Sequence, residues 1–200
     1  MPRMPLYATF LHLVAAVALT NLALPMNTDA APERILFDFS ATNAVPGWQI
    51  VNDDVMGGVS RSAFTITNSV ALFHGVLSLE NGGGFASVRS SPAPQHLGDF
   101  TTFVLRVRGD GKRYKLTVRT DVGLDSPLYQ HAFSTKSGQW EEHRLEFKDF
   151  VPTFRGRVVT GAARLNPARA NSVGLLISDT QEGPFRLEIA WIKASGRSRP

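Results

Sequence analysis

Cysteine is absent from this 200-residue chain. Its absence excludes disulfides, thiolate metal sites and a cysteine nucleophile, and leaves an oxidising compartment tolerable. Neither sign of charge dominates: 21 Lys and Arg stand against 17 Asp and Glu, a net +4. The positive excess is spread thinly, with local density at Arg155, Arg157, Arg164 and Arg169 and again at Lys193, Arg197 and Arg199. Such a charge favours anionic surfaces, so peripheral membrane association is an expectation. It is too diffuse for a nucleic-acid footprint, and no nucleic-acid partner is expected. Catalytic signatures are missing as well. His74, His96, His131 and His143 show no zinc spacing, and there is no Gly-x-Ser-x-Gly. Gly82-Gly83-Gly84 is followed by neither a helix nor a Lys-Ser/Thr pair, so it is not a P-loop. No catalytic residue, metal ligand or cofactor is expected.

Helical periodicity is scarce too. From residue 34 onward the apolar residues recur with period two, the signature of half-buried strands. Strand-type runs cover 35–39, 64–67, 71–79, 103–108, 115–120, 129–134, 140–147, 173–178 and 185–192. Gly75 within its run predicts a bulge or bend. Phe103–Arg108 alternates apolar and basic residues, Lys115–Thr120 does the same, and Gly109-Asp110-Gly111 between them reads as a hairpin turn. Helical turns are expected only at 148–150 and 167–171. Many short strands divided by Gly, Pro and Asn turns predict an all-β sandwich. About ten of them favour a jelly roll over a small barrel. Residues 31–194 make one domain, and 195–200 a disordered basic tail.

The first thirty residues stand outside that domain. Arg3 precedes a mostly apolar stretch, Leu6 to Leu24, which Pro25 ends, and Thr28-Asp29-Ala30 is an imperfect cleavage site. The segment 1–30 reads as a secretory signal peptide, which predicts export to the periplasm or the extracellular space. The alternative is an uncleaved anchor, because the stretch approaches the roughly 20 residues of a spanning helix.

Two Gly-rich segments stand out. Asn52-Asp53-Asp54-Val55-Met56-Gly57-Gly58-Val59-Ser60 follows Trp48, and Asn81-Gly82-Gly83-Gly84-Phe85-Ala86-Ser87-Val88-Arg89 comes some thirty residues later. On a strand Asp53 and Asp54 would face opposite ways, so they form no catalytic carboxylate pair. In a loop they have two readings: Asx capping of the turn, or oxygen ligands for a hard cation together with Asn52. Gly57-Gly58 permits positive φ or close approach, and Met56 is an adaptable apolar contact if exposed. The triple glycine reads as a turn, with anion binding by its N–H groups as the alternative. Arg89, Arg106, Arg108 and Arg119 occupy alternating strand positions. They read either as a ligand-binding row on one sheet face or as solvated outer-face residues. Trp48, Trp140, Trp191, Tyr114 and Tyr129 are stacking platforms or core.

These segments, in order with Phe37-Asp38-Phe39, Gly109–Tyr114, Trp140, Phe147–Gly156 and Ser178–Phe185, resemble the complex I intermediate-associated protein family of thirty-kilodalton type across roughly residues 34–194. The resemblance implies a galactose-binding-domain-like jelly roll. It also implies a binding module in the manner of an assembly chaperone of respiratory NADH:ubiquinone oxidoreductase, with assembly intermediates of that membrane complex as protein partners. The recognition surface expected is Asn52, Asp53, Asp54, Met56, Gly57 and Gly58, with Arg89 nearby. An exported carbohydrate-binding module is the first alternative. A hydrolase with His131 near Asp121 or Asp125 is the second.

Overall fold

The period-two pattern is realised as thirteen strands in two sheets, in a computed structural model that describes residues 31–40, 47–123 and 126–197. The six-stranded sheet contains β1 (Glu33–Asp38), β3 (Arg61–Thr67), β4 (Val70–Leu77), β6 (Thr102–Arg108), β9 (Trp140–Glu146) and β13 (Gly183–Ser195). Its order is β3-β4-β13-β6-β9, with β1 also paired to β13. The seven-stranded sheet contains β2 (Trp48–Asn52), β5 (Ala86–Ser90), β7 (Arg113–Arg119), β8 (Leu128–Ser134), β10 (Val151–Phe154), β11 (Arg157–Val158) and β12 (Ser172–Ile177). Its order is β11-β10-β8-β7-β12-β5-β2. The ladder pairings within both sheets are antiparallel, and the architecture is a galactose-binding-like jelly-roll sandwich.

The core lies where the two inner faces meet. Phe73 and Phe185 contact edge-on at 5.0 Å, and Phe103 packs against Phe147 and Phe150. Each such ring, fully buried, contributes roughly 1.5–3 kcal/mol. Trp48 closes one side of the core against Phe37, Phe39 and Phe64.

Several local expectations are met and several are revised. The two helical turns form as single 3-10 turns, Phe147–Asp149 and Pro167–Arg169. Gly109-Asp110-Gly111 is not a hairpin, because β6 and β7 belong to different sheets and the segment arches between them. The Asp110 carboxylate holds the arch by accepting the Lys112 N–H, the Tyr114 hydroxyl and the Arg186 N–H. Gly75 makes no bulge. It keeps regular register with Ser62 and Phe185, and a Cβ there would collide with the Arg61 carbonyl. Its role is to let β3 and β4 lie close. β13 continues through Ser195, which is buried and pairs with Thr102, so that residue is part of the sandwich. Strands β10 and β11 were not foreseen, because Pro152 and the Arg155-Gly156 turn mask a short edge hairpin. Residues 1–30, on which the signal peptide or anchor was placed, and 198–200 of the tail lie outside the described residues.

Candidate functional site

β2 is an edge strand of the seven-stranded sheet and β3 an edge strand of the other. The chain crosses between them through one 3-10 turn, Asp53–Met56. Gly57 ends the turn at φ 89°, a left-handed conformation that glycine adopts without penalty. The Gly57 N–H donates to the Asp54 carbonyl, and the Gly58 N–H to the Asp53 carbonyl at 3.0 Å. A second crossing, from β4 to β5, runs alongside through Ser78–Phe85.

The Asp53 carboxylate ties the two crossings together. Its side chain is 0% exposed. Oδ1 accepts the Ser60 N–H at 2.9 Å, and Oδ2 accepts the Ser60 hydroxyl at 2.5 Å, the Gly84 N–H at 2.7 Å and the Phe85 N–H at 3.3 Å. The Ser60 Oγ also accepts the Ser78 N–H at 3.0 Å. Gly58 and Gly83 are required by this carboxylate, since a Cβ on Gly58 would overlap it and one on Gly83 would lie 2.6 Å from Oδ2. Burial alone would raise the Asp53 pKa. The hydrogen bonds from Ser60, Gly84 and Phe85 outweigh it and hold the carboxyl below its ordinary value. The triple-glycine turn therefore does cradle an anion, and the chain itself supplies it.

Once Asp53 is anchored, the residues after it are left on the surface. Asp54 is exposed, Val55 is 69% exposed and Met56 58%. Asn52 is half-buried and its Oδ1 accepts the Ser62 hydroxyl at 2.7 Å. Asn52, Asp54, Gly58, Val59, Ser60, Arg61 and Ser62 line an open cleft of about 460 Å³. It adjoins a smaller hollow, sharing Arg61 and Ser62, that extends across to Gly75 and Val76 on β4. Ile50, Val59, Val76 and Leu79 are further exposed apolar side chains, all on these crossings or on the strands feeding them. Of that apolar set the sequence reading singled out only Met56. The available signal was Val55-Met56 between two acids and two glycines, apolar residues in a turn that has no core to enter.

Arg89 is not beside this loop. It pairs with Gln49, three residues along β5 from the Ala86–Asn52 pair that borders the turn, about 10 Å away. The four strand arginines do not form one row. Arg106 and Arg108 stand on the six-stranded sheet, Arg89 and Arg119 on the seven-stranded sheet. The cation reading of Asn52, Asp53 and Asp54 loses its oxygens, because the Asp53 carboxylate and the Asn52 amide oxygen already accept internal donors. Among the described residues no group of three His, Asp or Glu converges as a metal site. Asp121 is ion-paired with Arg169, and Asp125 lies outside the described residues. Tyr114 and Tyr129 are buried. Trp48 is in the aromatic cluster, and Trp140 and Trp191 are half-buried under Arg106, Arg108 and Lys193. None of the five is an open stacking platform.

The profile of the family described as Complex I intermediate-associated protein 30 matches residues 37–189. Relatives carrying that name with the qualifier "mitochondrial" include those of Mus musculus (28% identical over 180 residues, 80% of this chain and 55% of the relative), Neurospora crassa (30% over 148 residues, 65% and 53%) and Drosophila melanogaster (26% over 182 residues, 79% and 61%). The chain thus spans little more than half the length of these relatives. Among solved structures, a family 11 carbohydrate-binding module from Clostridium thermocellum in complex with a mixed-linked tetrasaccharide superposes with a TM-score of 0.64, 14% identity and coverage of 86% of this chain and 99% of the module. An agarase gives 0.58 at 12% identity, covering 84% of this chain and 25% of the enzyme. At such identities the likeness is one of fold. The expectation of export to the periplasm or extracellular space is overturned by the relatives, which are mitochondrial by name. The physical reason is that an apolar stretch after a lone Arg3 reports hydrophobicity, whereas a destination is read by receptors from finer features. Among the described residues no helix is long and apolar enough to cross a membrane.

Proposed function

The chain belongs to the complex I intermediate-associated protein 30 family, and on that premise we propose that it is a non-catalytic recognition domain for an assembly intermediate of respiratory complex I. The observation that carries this reading is the exposed apolar rim, Val55 and Met56 with Val59, Ile50 and Leu79, built on a loop whose root is locked by the buried Asp53. Exposed apolar groups on a rigid sandwich loop lose little conformational entropy on docking, and Met adapts its shape to a partner. The open cleft beside Asn52 and Asp54 adds polar groups at the margin of the same surface. In this proposal residues 31–194 act as one recognition unit, Asp54, Met56 and Gly57 touch the partner, and Asp53 and Gly58 hold the loop in shape.

The test is affinity purification of the full chain from cells that assemble complex I, followed by mass spectrometry. Complex I subunits are expected with the parent chain. They should be lost from the D54A/V55S/M56S variant while its melting temperature stays that of the parent. Unchanged recovery with that variant refutes the loop assignment, and recovery of no complex I subunit with the parent refutes the functional reading.

A further inference from the structure

Several outward arginines of both sheets are held by carboxylates. On the six-stranded sheet Arg108 is bound to Glu188, which Arg186 also contacts at 2.8 Å, and Arg106 pairs with Glu142 at 3.2 Å. On the seven-stranded sheet Asp179 takes both Arg113 and Lys115. Arg89 and Arg119, neighbours on the outer face of the seven-stranded sheet, have no such partner among the described residues. Asp121, two residues beyond Arg119, is held by Arg169.

The outward face around this pair is shielded along the whole of β12. Every position of β12 is buried, including Ser172, Gly174 and Leu176, which point away from the core, and Thr117 beside them is buried too. Gly174 pairs with Arg89 on one side and Thr117 on the other, while Arg119 pairs with Ser172. A Cβ at Gly174 would lie 2.6 Å from the Val88 carbonyl, 2.7 Å from the Thr117 Oγ1 and 3.1 Å from the Arg89 Cβ, so no side chain fits between these neighbours. Arg119 Nη1 is shielded from solvent and has no hydrogen-bond partner. Its guanidinium is desolvated, and the charge of Arg89 acts on it as well, both lowering its pKa. A shielded guanidinium N–H without an acceptor, next to a second cation, is costly unless an anion completes it.

We propose that the outer face of the seven-stranded sheet is an oxyanion site in which Arg89 and Arg119 clamp a phosphate group above Gly174. Two guanidinia call for two negative charges in one place. A phosphate monoester carries nearly two and accepts several hydrogen bonds at once, whereas a carboxylate carries one. Thr117 Oγ1 and the Gln130 amide, in register beside it, are the neutral donors at the same site. The assignment is independent of the loop and of complex I.

Inorganic phosphate, titrated at constant ionic strength against chloride, is the probe, read by melting temperature and calorimetry. Saturable binding and a raised melting temperature are expected for the parent. R119Q and R89Q should each weaken binding by about tenfold or more, as loss of a charged hydrogen-bonding partner does, while R106Q on the other sheet binds like the parent. R89Q serves as a second variant at a more accessible position if R119Q melts early in chloride. Vesicles of phosphatidylcholine with and without phosphatidic acid identify the source. Capture of the parent but not R119Q assigns the phosphate to a lipid headgroup, and phosphate binding without capture assigns it to a soluble ligand. The proposal is overturned if phosphate does no more than chloride, if acetate binds as tightly, or if both variants bind like the parent.

Discussion

The Asp53 carboxylate accepts the Gly84 N–H at 2.7 Å, joining positions 31 residues apart in the chain. That bond and the one from the Phe85 N–H fasten the crossing from β2 to β3 to the crossing from β4 to β5, while the two from Ser60 close the first crossing on itself, so one side chain fixes both connections between the sheets.

Removing this carboxylate should therefore cost more than an ordinary surface change. Asp53→Ala leaves the Ser60, Gly84 and Phe85 donors without their acceptor inside the protein. Donors to a charged group contribute roughly 1.5–3 kcal/mol each, not additively, so a loss of about 3 kcal/mol is expected. Urea unfolding at neutral pH checks it. A loss under 1 kcal/mol would show that water replaces the carboxylate.

Gly58 is predicted to matter only through Asp53. Gly58→Ala places its Cβ 2.5 Å from Asp53 Oδ1 and should be strongly destabilising by itself. In the Asp53→Ala background the two nearest atoms have gone and only the Cβ of residue 53, 2.8 Å away, remains, so the same substitution should cost clearly less. A double-mutant cycle reads the difference, and additive losses would contradict the collision.

Acid should unfold the protein through depressed carboxylates. Asp179 is desolvated, which raises its pKa, but Arg113, Lys115 and Ser178 outweigh this and bring it to about 2, from an ordinary 3.8. Asp53 and Glu188 are lowered as well. A group whose folded pKa lies below its unfolded value stabilises fully above the unfolded pKa, and that contribution is lost as pH falls through the folded one. Stability should decline from about pH 4 towards pH 2, and more shallowly in Asp179→Asn. Parallel acid limbs for the two proteins would refute the assignment.

A separate, higher window belongs to His143. Burial lowers its pKa below 6.5, outweighing the opposing pull of Glu141, and the ring packs 4.9 Å from Phe133. The unfolded chain therefore takes the proton first, so stability is lost as pH falls from about 6.5 towards the lower folded pKa. His143→Phe should flatten the melting temperature between pH 7 and 5. A slope equal to that of the parent would place the titration elsewhere.

The sequence by itself determined the sandwich and much of its local chemistry. Side-chain alternation is a property of each strand alone, so runs such as Phe103–Arg108 declare their inward and outward faces before any partner is known. Asx and Gly turn preferences are equally local, which is why the Asp53–Gly58 turn and the Pro167–Arg169 turn are legible. Which strands become neighbours is not local. Gly109-Asp110-Gly111 has hairpin composition, yet Asp110 bonds Tyr114 and Arg186 and sends β7 to the opposite sheet, a choice made by long-range partners. The same limit separates Asp53 from Asp54. Both are turn acids in sequence, and only the arrival of Gly84 and Phe85 from the second crossing decides that the first is buried while the second meets solvent. Pairing likewise decided the arginines, since strand alternation makes all four outward but only sheet order says which have carboxylates beside them.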